Sequence, residues 1–455
     1  MDIQNLTIST ALEQLRSGAM STAELREASF RAIERFNPGL NAFITVLDQE
    51  QDCTPQSPAS ALAGIPLAIK DLYQTAGILT TSGTTFFKDF IPDQDAVVVE
   101  RLKAAGAVII GKTNTHEIAL GVTGVNPHYG AAHNPWDTQR ITGGSSSGSA
   151  VAVAAGMCLA AMGTDTGGSI RIPASLCGVV GLKPSYGRIS LRGIFPLSWN
   201  LDHAGPLTKT VKDAAIMLQV LAGYDEHDPA SVNLPVDDYL ADISAGVNGW
   251  RVAVLTGDYV WEADPEVLEA VRAAAQVFET LGAHVQPVEL NFLREAALAN
   301  SLMTQADGAA FHRERLREHP LGFGEDVRLR LQTGAAYTSS EYSLARRTQT
   351  EMRHRMDFFF REFDLLLLPA TPIPAPFIEG SDALAQARRL TRFTAPFNLT
   401  GLPALSIPCG FSTNGLPLGL QIVSPAWSEK KLLRGAQAYE IATDWHLKRP
   451  NLSVL

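Results

Sequence analysis

Residues 142–173 read TGGSSSGSAVAVAAGMCLAAMGTDTGGSIRIP, with one Gly/Ser-rich loop before an alanine-rich stretch and a second loop after it. Each loop places serine beside a flexible backbone. A serine nucleophile requires a base, and its oxyanion requires nearby backbone N–H groups, which paired glycines supply without a Cβ clash. The second loop, TDTGGS at 164–169, contains both the hydroxyl and the glycines. The segment therefore predicts acyl-transfer chemistry.

Lys70 is the candidate base. It comes near the end of residues 62–71, LAGIPLAIKD, whose alternating apolar residues suit a buried strand. Open α/β sheets place their ligands at the carboxyl ends of such strands. Burial lowers the pKa of a lysine, and the neutral amine can accept a proton. Asp71 follows directly, but alternation along the strand predicts that the two side chains point to opposite faces.

Five segments together resemble the amidase signature family of hydrolases, which use a Ser–cis-Ser–Lys triad. They are GIPLAIKD, GGSSSGS, GTDTGGSIRIPASLCGVVGLKPSYGR, LSWNLDHAGPLTKTVKDAA and FTAPFNLTGLPALSIPCG, and they span most of the chain. The resemblance implies that Lys70 is the base, Ser145 the bridging serine after a cis peptide bond, and Ser169 the nucleophile.

The same resemblance implies an oxyanion hole formed by the backbone N–H groups of Thr166, Gly167, Gly168 and Ser169. Lys70 would take a proton from Ser145 while Ser145 takes one from Ser169. We expect no metal and no organic cofactor in this mechanism.

Substrate-binding residues are predicted from their place near these motifs. Arg188, in SYGRIS, is the candidate movable anchor, because an arginine fork grips a carbonyl or carboxylate. Arg171 could bind substrate or a carboxylate of the chain, and we favour the structural role. The candidate pocket residues are Gly121, Thr123 and Gly124 within 121–125, Met303 and Phe397.

Two other interpretations of these loops are weaker. A Ser-His-Asp triad would need His116, His128, His133 or His203 beside Ser169, with a carboxylate behind it. A phosphate-binding loop would need the lysine and hydroxyl of the G-x-x-x-x-G-K-[ST] pattern, which GGSSSGS lacks.

The composition favours a soluble protein that acts on small molecules. The chain has 455 residues, 45% of them apolar, and a formal net charge of −10, which argues against nucleic-acid and anionic membrane partners. The start of the chain lacks the pattern of a secretory signal, so we expect a cytoplasmic protein. We expect it to be a monomer or a homodimer. Four dispersed cysteines without a C-x-x-C pair predict reduced thiols and no zinc site.

Helix and strand signals alternate and predict one α/β domain. We expect a mixed, largely parallel central sheet covered by helices on both faces. The predicted parts are N-terminal helices at 1–60, a signature core at 61–215, an insertion with peripheral strand–helix units at 222–300, and a C-terminal part at 301–455.

Local signals give more detailed predictions. Thr10 with Glu13 and Ser21 with Glu24 fit capping boxes for two N-terminal helices. A Pro/Ser-rich linker is expected at 54–60, a core helix at 150–162, and a surface loop at 258–266. Strands are expected at 107–113, 251–257 and 283–290, and helices near 96–105 and at 266–282.

The resemblance leaves two functions open. Family members are either free hydrolases of amides, esters or carbamates, or the glutaminase (A-type) subunit of a tRNA-dependent amidotransferase. Glutaminase subunits tend to carry an acidic residue two positions before the FT of the C-terminal motif, where this chain has Thr391. GVTGVNPHYGAAHNPWD also departs from their pattern. Both departures favour a stand-alone amidohydrolase, and the chain looks similar to bacterial urethanases, which cleave carbamates. A catalytically dead binding protein is disfavoured because all three triad positions are present.

Overall fold

The structure is a computed structural model and describes residues 3–47, 60–380 and 382–453. The predicted linker at 54–60 lies outside the described residues except for Ser60. The helices are α1 (Ile8–Ser17), α2 (Thr22–Leu40), α3 (Val97–Ala104), α4 (Ser147–Ala154), α5 (Arg171–Cys177), α6 (Val211–Leu221), α7 (Pro265–Thr280), α8 (Leu293–Phe311), α9 (Arg313–Glu318), α10 (Glu325–Ala336), α11 (Ser339–Phe359), α12 (Ala383–Leu390), α13 (Ala395–Leu399) and α14 (Glu429–Ile441).

The strands alternate with these helices along much of the chain. They are β1 (Phe43–Val46), β2 (Pro66–Lys70), β3 (Val108–Thr113), β4 (His133–Asn134), β5 (Asp137–Ile141), β6 (Ala160–Asp165), β7 (Val180–Lys183), β8 (His203–Thr208), β9 (Arg251–Leu255), β10 (His284–Val288), β11 (Leu365–Pro369), β12 (Ala404–Phe411) and β13 (Pro417–Val423). The strands and helices predicted from local signals at 96–113 and 251–290 are present, with ends shifted by a few residues at most.

One sheet joins strands from every part of the chain. Within the described residues it has 11 strands, in the order β1-β3-β2-β6-β8-β7-β12-β13-β11-β9-β10, while β4 and β5 pair separately. β2 runs parallel to β3 and β6, and β9 runs parallel to β10 and β11. The strands between these two groups pair antiparallel. The predicted mixed α/β sheet is confirmed. The expectation that it is largely parallel is wrong, because antiparallel pairs outnumber the parallel pairs of the described strands, which lie in two separate regions.

Helices cover both faces of this sheet. Along β2, Leu67 and Ile69 join one hydrophobic cluster with side chains of α3, α6 and α14, whereas Ala68 joins another cluster with side chains of α2, α4 and α5. Successive residues of a strand point to opposite faces, so the two clusters lie on opposite sides of the sheet. Lys70 shares the parity of Ala68 and therefore belongs to the face covered by α4 and α5.

The two N-terminal helices differ in how well their starts were predicted. Ser21 and Glu24 form the expected capping box of α2. The predicted box of Thr10 with Glu13 is wrong, because Thr7 is the N-cap of α1 and exchanges hydrogen bonds with Thr10. A threonine at the third helical position replaced the glutamate that the standard pattern requires.

Two other local predictions need correction. The apolar run at 150–162 is not one helix: α4 ends at Ala154, Gly156 turns with φ +69°, and β6 begins at Ala160. The expected surface loop at 258–266 is partly core, because Tyr259 and Val260 are buried among side chains of β9 and β11. At 150–162 the apolar pattern alone did not distinguish a helix from a helix followed by a strand. At 258–266 the loop is present, and only its exposure was predicted wrongly.

No helix among residues 3–47, 60–380 and 382–453 combines the length and apolar character that crossing a membrane requires. The same residues contain no group of three or more His, Cys, Asp or Glu side chains arranged to hold a metal ion.

Candidate active site

Lys70 ends β2, and its side chain is completely buried. Its Nζ lies 2.7 Å from Ser145 Oγ and 2.7 Å from Thr164 Oγ1. Burial lowers the pKa of Lys70 to about 7, although the negative charges of Asp165 and Asp202 act to raise it. A large fraction of this amine is therefore neutral near pH 7, and it touches a hydroxyl whose proton it can accept.

Asp71 points away from this amine, as the strand alternation predicted. Its carboxylate lies 3.2 Å from Nζ of Lys112 and accepts hydrogen bonds from the backbone and side chain of Thr81. The adjacent acid therefore belongs to a different ion pair and does not hold Lys70 in its ammonium form.

Ser145 lies in the loop that leads into α4. The peptide bond between Gly144 and Ser145 is cis. Ser146 holds this loop against the second serine loop, because its N–H donates to the carbonyl oxygen of Ser169 at 3.1 Å. Its hydroxyl also donates to the carbonyl oxygen of Thr164 and accepts from the Thr164 N–H, both at 3.2 Å. Ser146 therefore has a positioning role within the loop.

Ser169 lies between β6 and α5 with 4% of its surface exposed. Among the described residues, no hydrogen bond joins its Oγ to Oγ of Ser145. The link from Lys70 to Ser145 is thus formed in the structure, and the link from Ser145 to Ser169 stays a prediction.

The loop before Ser169 turns its carbonyl groups toward neighbouring helices. The carbonyl oxygen of Thr166 accepts from Asn300 Nδ2 at 3.0 Å, and that of Gly167 accepts from Thr394 Oγ1 at 2.6 Å. Gly168 has φ +136°, and a Cβ there would lie 2.2 Å from Thr394 Oγ1, so a larger residue does not fit.

The backbone N–H groups of this loop are not equivalent. The N–H of Gly168 donates to Asp165 Oδ1 at 2.8 Å and is already engaged. Those of Thr166, Gly167 and Ser169 make no hydrogen bond among the described residues, so they are the donors left for an oxyanion. This narrows the predicted set of four donors to three.

A buried ion pair fixes the base of this loop. Arg171 donates to Asp165 through Nε at 3.0 Å and through a terminal nitrogen at 2.8 Å. It also donates to the side chains of Gln421 and Asn398. Burial acts to raise the pKa of Asp165, but the Arg171 guanidinium outweighs burial and holds that pKa well below its usual range. Arg171 has the contacts of a structural residue, the role favoured for it from the sequence.

A cavity of about 450 Å³ opens beside Thr164 and Thr166. Its apolar lining includes Leu72, Leu191, Ile194, Phe195, Leu197 and Trp199. Its polar lining includes Arg192, Asp202, His227 and Asp228. The cavity is large enough for a small organic molecule and predominantly apolar, as small-molecule sites usually are.

Arg188 lies outside the residues that line this cavity. Its side chain is 3% exposed, donates to the carbonyl oxygen of Pro235 at 2.9 Å, and lies 3.7 Å from a carboxylate oxygen of Glu429. The guanidinium also lies 4.8 Å from the ring centroid of Trp427. These contacts suit a fixed structural residue better than the predicted movable anchor. Arg192, four residues later, is the arginine that reaches the cavity.

The other predicted pocket residues are also absent from the lining of this cavity. Met303 and Phe397 are completely buried in two hydrophobic clusters. Gly121 packs on the ring of His116, because a Cβ there would lie 2.1 Å from Nε2, and the hydroxyl of Thr123 lies 3.4 Å from Nδ1 of the same ring. Gly124 packs against the first serine loop, because a Cβ added to it would lie 2.4 Å from Thr142 Oγ1.

The histidines near the motifs have partners other than Ser169. His203 is buried with Nδ1 2.6 Å from the carbonyl oxygen of Leu201, and burial holds its pKa well below its usual range. The remaining contacts are His116 with Asp326, His128 with Glu117, and His133 with the carbonyl oxygen of Thr138. This arrangement favours lysine as the base.

Sequence reasoning missed the residues that hold the oxyanion loop from a distance. Asn300, Thr394 and Asn398 contact residues 165–167, although they follow them by more than 130 positions. Thr394 and Asn398 were part of FTAPFNLTG, so the motif marked them without indicating a role. Asn300 lies in α8 outside every quoted motif.

Comparison with known proteins agrees with this geometry. The family model "Amidase" matches residues 24–433. The A-type subunit of glutamyl-tRNA(Gln) amidotransferase from Roseiflexus sp. (strain RS-1) is 38% identical, over 99% of both chains. The solved structure of the corresponding protein from Thermotoga maritima has a TM-score of 0.86 and 36% identity, covering 97% of this chain and 95% of its own. A 6-aminohexanoate cyclic dimer hydrolase complexed with substrate has a TM-score of 0.90 and 32% identity, covering 99% of both.

The chain belongs to the amidase signature family and is an amidohydrolase with that family's fold.

Proposed function

We propose that this chain is a stand-alone hydrolase that cleaves small amides, esters or carbamates through an acyl-enzyme on Ser169. The contact between Lys70 Nζ and Ser145 Oγ carries the proposal. It places a buried amine with a pKa of about 7 against the first hydroxyl of a relay. Thr164, which also contacts this amine, lines the apolar cavity.

The first half of the reaction forms the acyl-enzyme. Neutral Lys70 takes the proton of Ser145, Ser145 takes that of Ser169, and Ser169 Oγ bonds to the substrate carbonyl carbon. The N–H groups of Thr166, Gly167 and Ser169 bind the oxyanion. The carbonyl then re-forms, the bond to the leaving amine or alcohol breaks, and the leaving group receives the proton back through Ser145.

The second half releases the acid. Water enters, gives its proton to the same relay, and attacks the acyl carbon, after which Ser169 Oγ leaves with the returning proton. A carbamate carbonyl passes through the same tetrahedral geometry, so carbamate cleavage requires no further group. The chain's own residues supply every proton transfer in this scheme.

The cavity supports a small and mainly apolar substrate. Its two lining carboxylates are already bonded to backbone N–H groups: Asp202 accepts from Leu197 and Ser198, and Asp228 accepts from Leu191 and Ala230. Binding of a charged amine to either would compete with these bonds. An apolar acyl or leaving group does not compete for these hydrogen bonds, and burial of its surface in the cavity contributes favourably to the free energy of binding.

A glutaminase component of an amidotransferase is the second candidate, and the 38% identity to the Roseiflexus protein favours it. Thr391 argues against it. A Cβ on Gly167 would lie 3.9 Å from Thr391 Cγ2, so residue 391 neighbours the oxyanion loop and supplies no carboxylate for the amine of glutamine. Because the hydrolase relative is 32% identical over the same length, identity alone does not choose between the two.

A substrate panel tests this proposal. The purified chain should hydrolyse 4-nitroanilides, 4-nitrophenyl esters and aryl carbamates with Ser169-dependent turnover, and glutamine poorly. Ser175→Ala is the matched control for Ser169→Ala. It also removes a buried serine hydroxyl, but one that lies within α5. Efficient glutamine hydrolysis, or turnover that appears only with partner subunits, would establish the glutaminase alternative instead.

A further inference from the structure

The carboxylate of Asp202 accepts hydrogen bonds from two separate segments that line the cavity. Asp202 precedes β8, is 9% exposed and lines the cavity. Its Oδ1 accepts from Thr166 Oγ1 at 2.6 Å, and its Oδ2 accepts from the N–H groups of Leu197 at 2.8 Å and Ser198 at 3.0 Å. One oxygen therefore holds the oxyanion loop, and the other holds the turn that leads to Asp202 itself.

We call residues 197–202 the wall turn. It presents Leu197 and Trp199 to the cavity, and Trp199 remains 51% exposed, which is unusual for so large an apolar side chain. The turn is held in place at two further points. The hydroxyl of Tyr186 donates to the carbonyl oxygen of Trp199, and Ser198 Oγ donates to Asp307 Oδ2 at 2.5 Å. An apolar group in the cavity would rest on this fixed surface.

Thr166 is the residue through which the wall turn reaches the reacting centre. Its carbonyl oxygen is held by Asn300 and its hydroxyl by Asp202, so both ends of the residue are fixed. Its N–H is one of the three donors left for the oxyanion among the described residues. Displacement of Asp202 would therefore change the direction of that N–H as well as the position of Trp199.

We propose that Asp202 is a positioning residue that fixes the surface for the substrate's apolar group relative to the donors for its carbonyl oxygen. This rests on the proposed function, because it requires a substrate that spans the wall turn and the oxyanion loop. The substrate class that benefits is one with a bulky, preferably aromatic, group next to the scissile carbonyl, since Trp199 and Phe195 offer ring surfaces.

The charge of Asp202 gives the proposal a second readout. Lys70 faces the negative charges of Asp165 and Asp202. Asp202 itself faces Asp307 of α8 and lies near the Tyr186 phenol. Burial, and to a lesser extent Asp307, raises the pKa of Asp202 to about 6, so this carboxylate is ionised where Lys70 loses its proton. Removing that charge removes one influence that keeps Lys70 protonated.

Asp202→Asn tests both the positioning role of Asp202 and the influence of its charge on the pKa of Lys70. With a 4-nitrophenyl ester of a bulky aromatic acid, we expect kcat to fall about 10-fold. We also expect the acid limb of kcat/KM to move to lower pH by about 0.5 units. Asp213→Asn is the matched control, because Asp213 in α6 is also buried, has a pKa raised to about 6, and accepts from the N–H groups of Ile8 and Ser9. The Asp213→Asn variant should be less stable than the wild type. It should keep the wild-type kcat and the wild-type position of the acid limb of kcat/KM.

Thr166→Val separates the effect of the hydrogen bond between Thr166 and Asp202 from the effect of the negative charge of Asp202. It removes the hydroxyl that Asp202 holds but leaves the carboxylate, so kcat should fall while the acid limb stays at the wild-type pH. Thr166→Ser keeps the hydroxyl and should recover most of the kcat that the valine variant loses.

The proposal fails if Asp202→Asn keeps the wild-type kcat and the wild-type acid limb of kcat/KM. It also fails if Asp213→Asn changes these two quantities as much as Asp202→Asn does. Either outcome leaves the proposed function intact as long as a fluorophosphonate still labels Ser169. Loss of that labelling in the unmutated protein would overturn the proposed function instead, so the two failures are distinguishable.

Discussion

The ends of β2 and β3 carry two buried lysines that lie on opposite faces of the sheet and have different contacts. The strands are parallel neighbours in which Ile69 is paired with Lys112 and Lys70 with Thr113, and both lysine side chains are completely buried. Lys112 contacts Asp71, the carbonyl oxygen of Tyr73 and Thr80 Oγ1. Lys70 contacts two hydroxyl groups.

The comparison shows that burial alone does not make a base. Burial lowers the pKa of both lysines. The Lys112 amine nevertheless contacts the Asp71 carboxylate, which acts to raise the pKa of Lys112, and it contacts no serine among the described residues, so its contacts are those of a structural residue. The carboxylates that act on Lys70 do so without touching its amine, and its pKa falls to about 7. A carboxylate in contact with Lys70 in place of Thr164 would act to raise the pKa of this amine.

Removing the Lys70 amine should have the largest effect on activity. Lys70→Met keeps the length of the side chain and avoids burying a charge, so the protein should fold. We expect kcat/KM to fall by about 10²–10⁴-fold, the usual contribution of a general base. Steady-state kinetics on an aryl ester, with circular dichroism as the folding control, measures this. Turnover within a few-fold of wild type would show that another group is the base.

Removing the Lys112 amine should affect stability instead. Lys112→Met leaves the Asp71 carboxylate buried without its partner, which costs about 3–5 kcal/mol of unfolding free energy. The double variant with Asp71→Asn should recover much of this loss, because neither charge then remains. Urea denaturation of the four proteins in this cycle gives the values. A stable but inactive Lys112→Met protein would contradict the structural role.

The smallest effect is expected at Thr164. Thr164→Val removes one of the two hydroxyls that hold the Lys70 amine but leaves Ser145 in place, so kcat/KM should fall about 10-fold. Thr164→Ser keeps the hydroxyl and is the control. Equal losses in both variants would indicate that the methyl group, and not the hydrogen bond, positions Lys70.

Much of this site could be predicted from short segments. The apolar alternation before Lys70 predicted a buried strand with the amine at its end, and the same alternation separated Asp71 from it.

The contacts between distant segments could not be predicted in this way. Arg188 was predicted as a movable anchor, but its partner Glu429 lies 241 positions later, and no local pattern indicates that ion pair. The wall turn illustrates the same limit. Asp202 lies within LSWNLDHAGPLTKTVKDAA, a motif that gave it no role, whereas the folded chain gives it Thr166 and two backbone N–H groups.

The rate at which Ser169 is acylated, measured as a function of pH, tests the central claim most directly. A fluorophosphonate is added under single-turnover conditions, and mass spectrometry locates the adduct. If neutral Lys70 drives the relay, the rate rises with pH through a single ionisation near a pKa of about 7, and the adduct is on Ser169. A rate that does not change between about pH 5 and 9, or an adduct on another residue, would contradict the account.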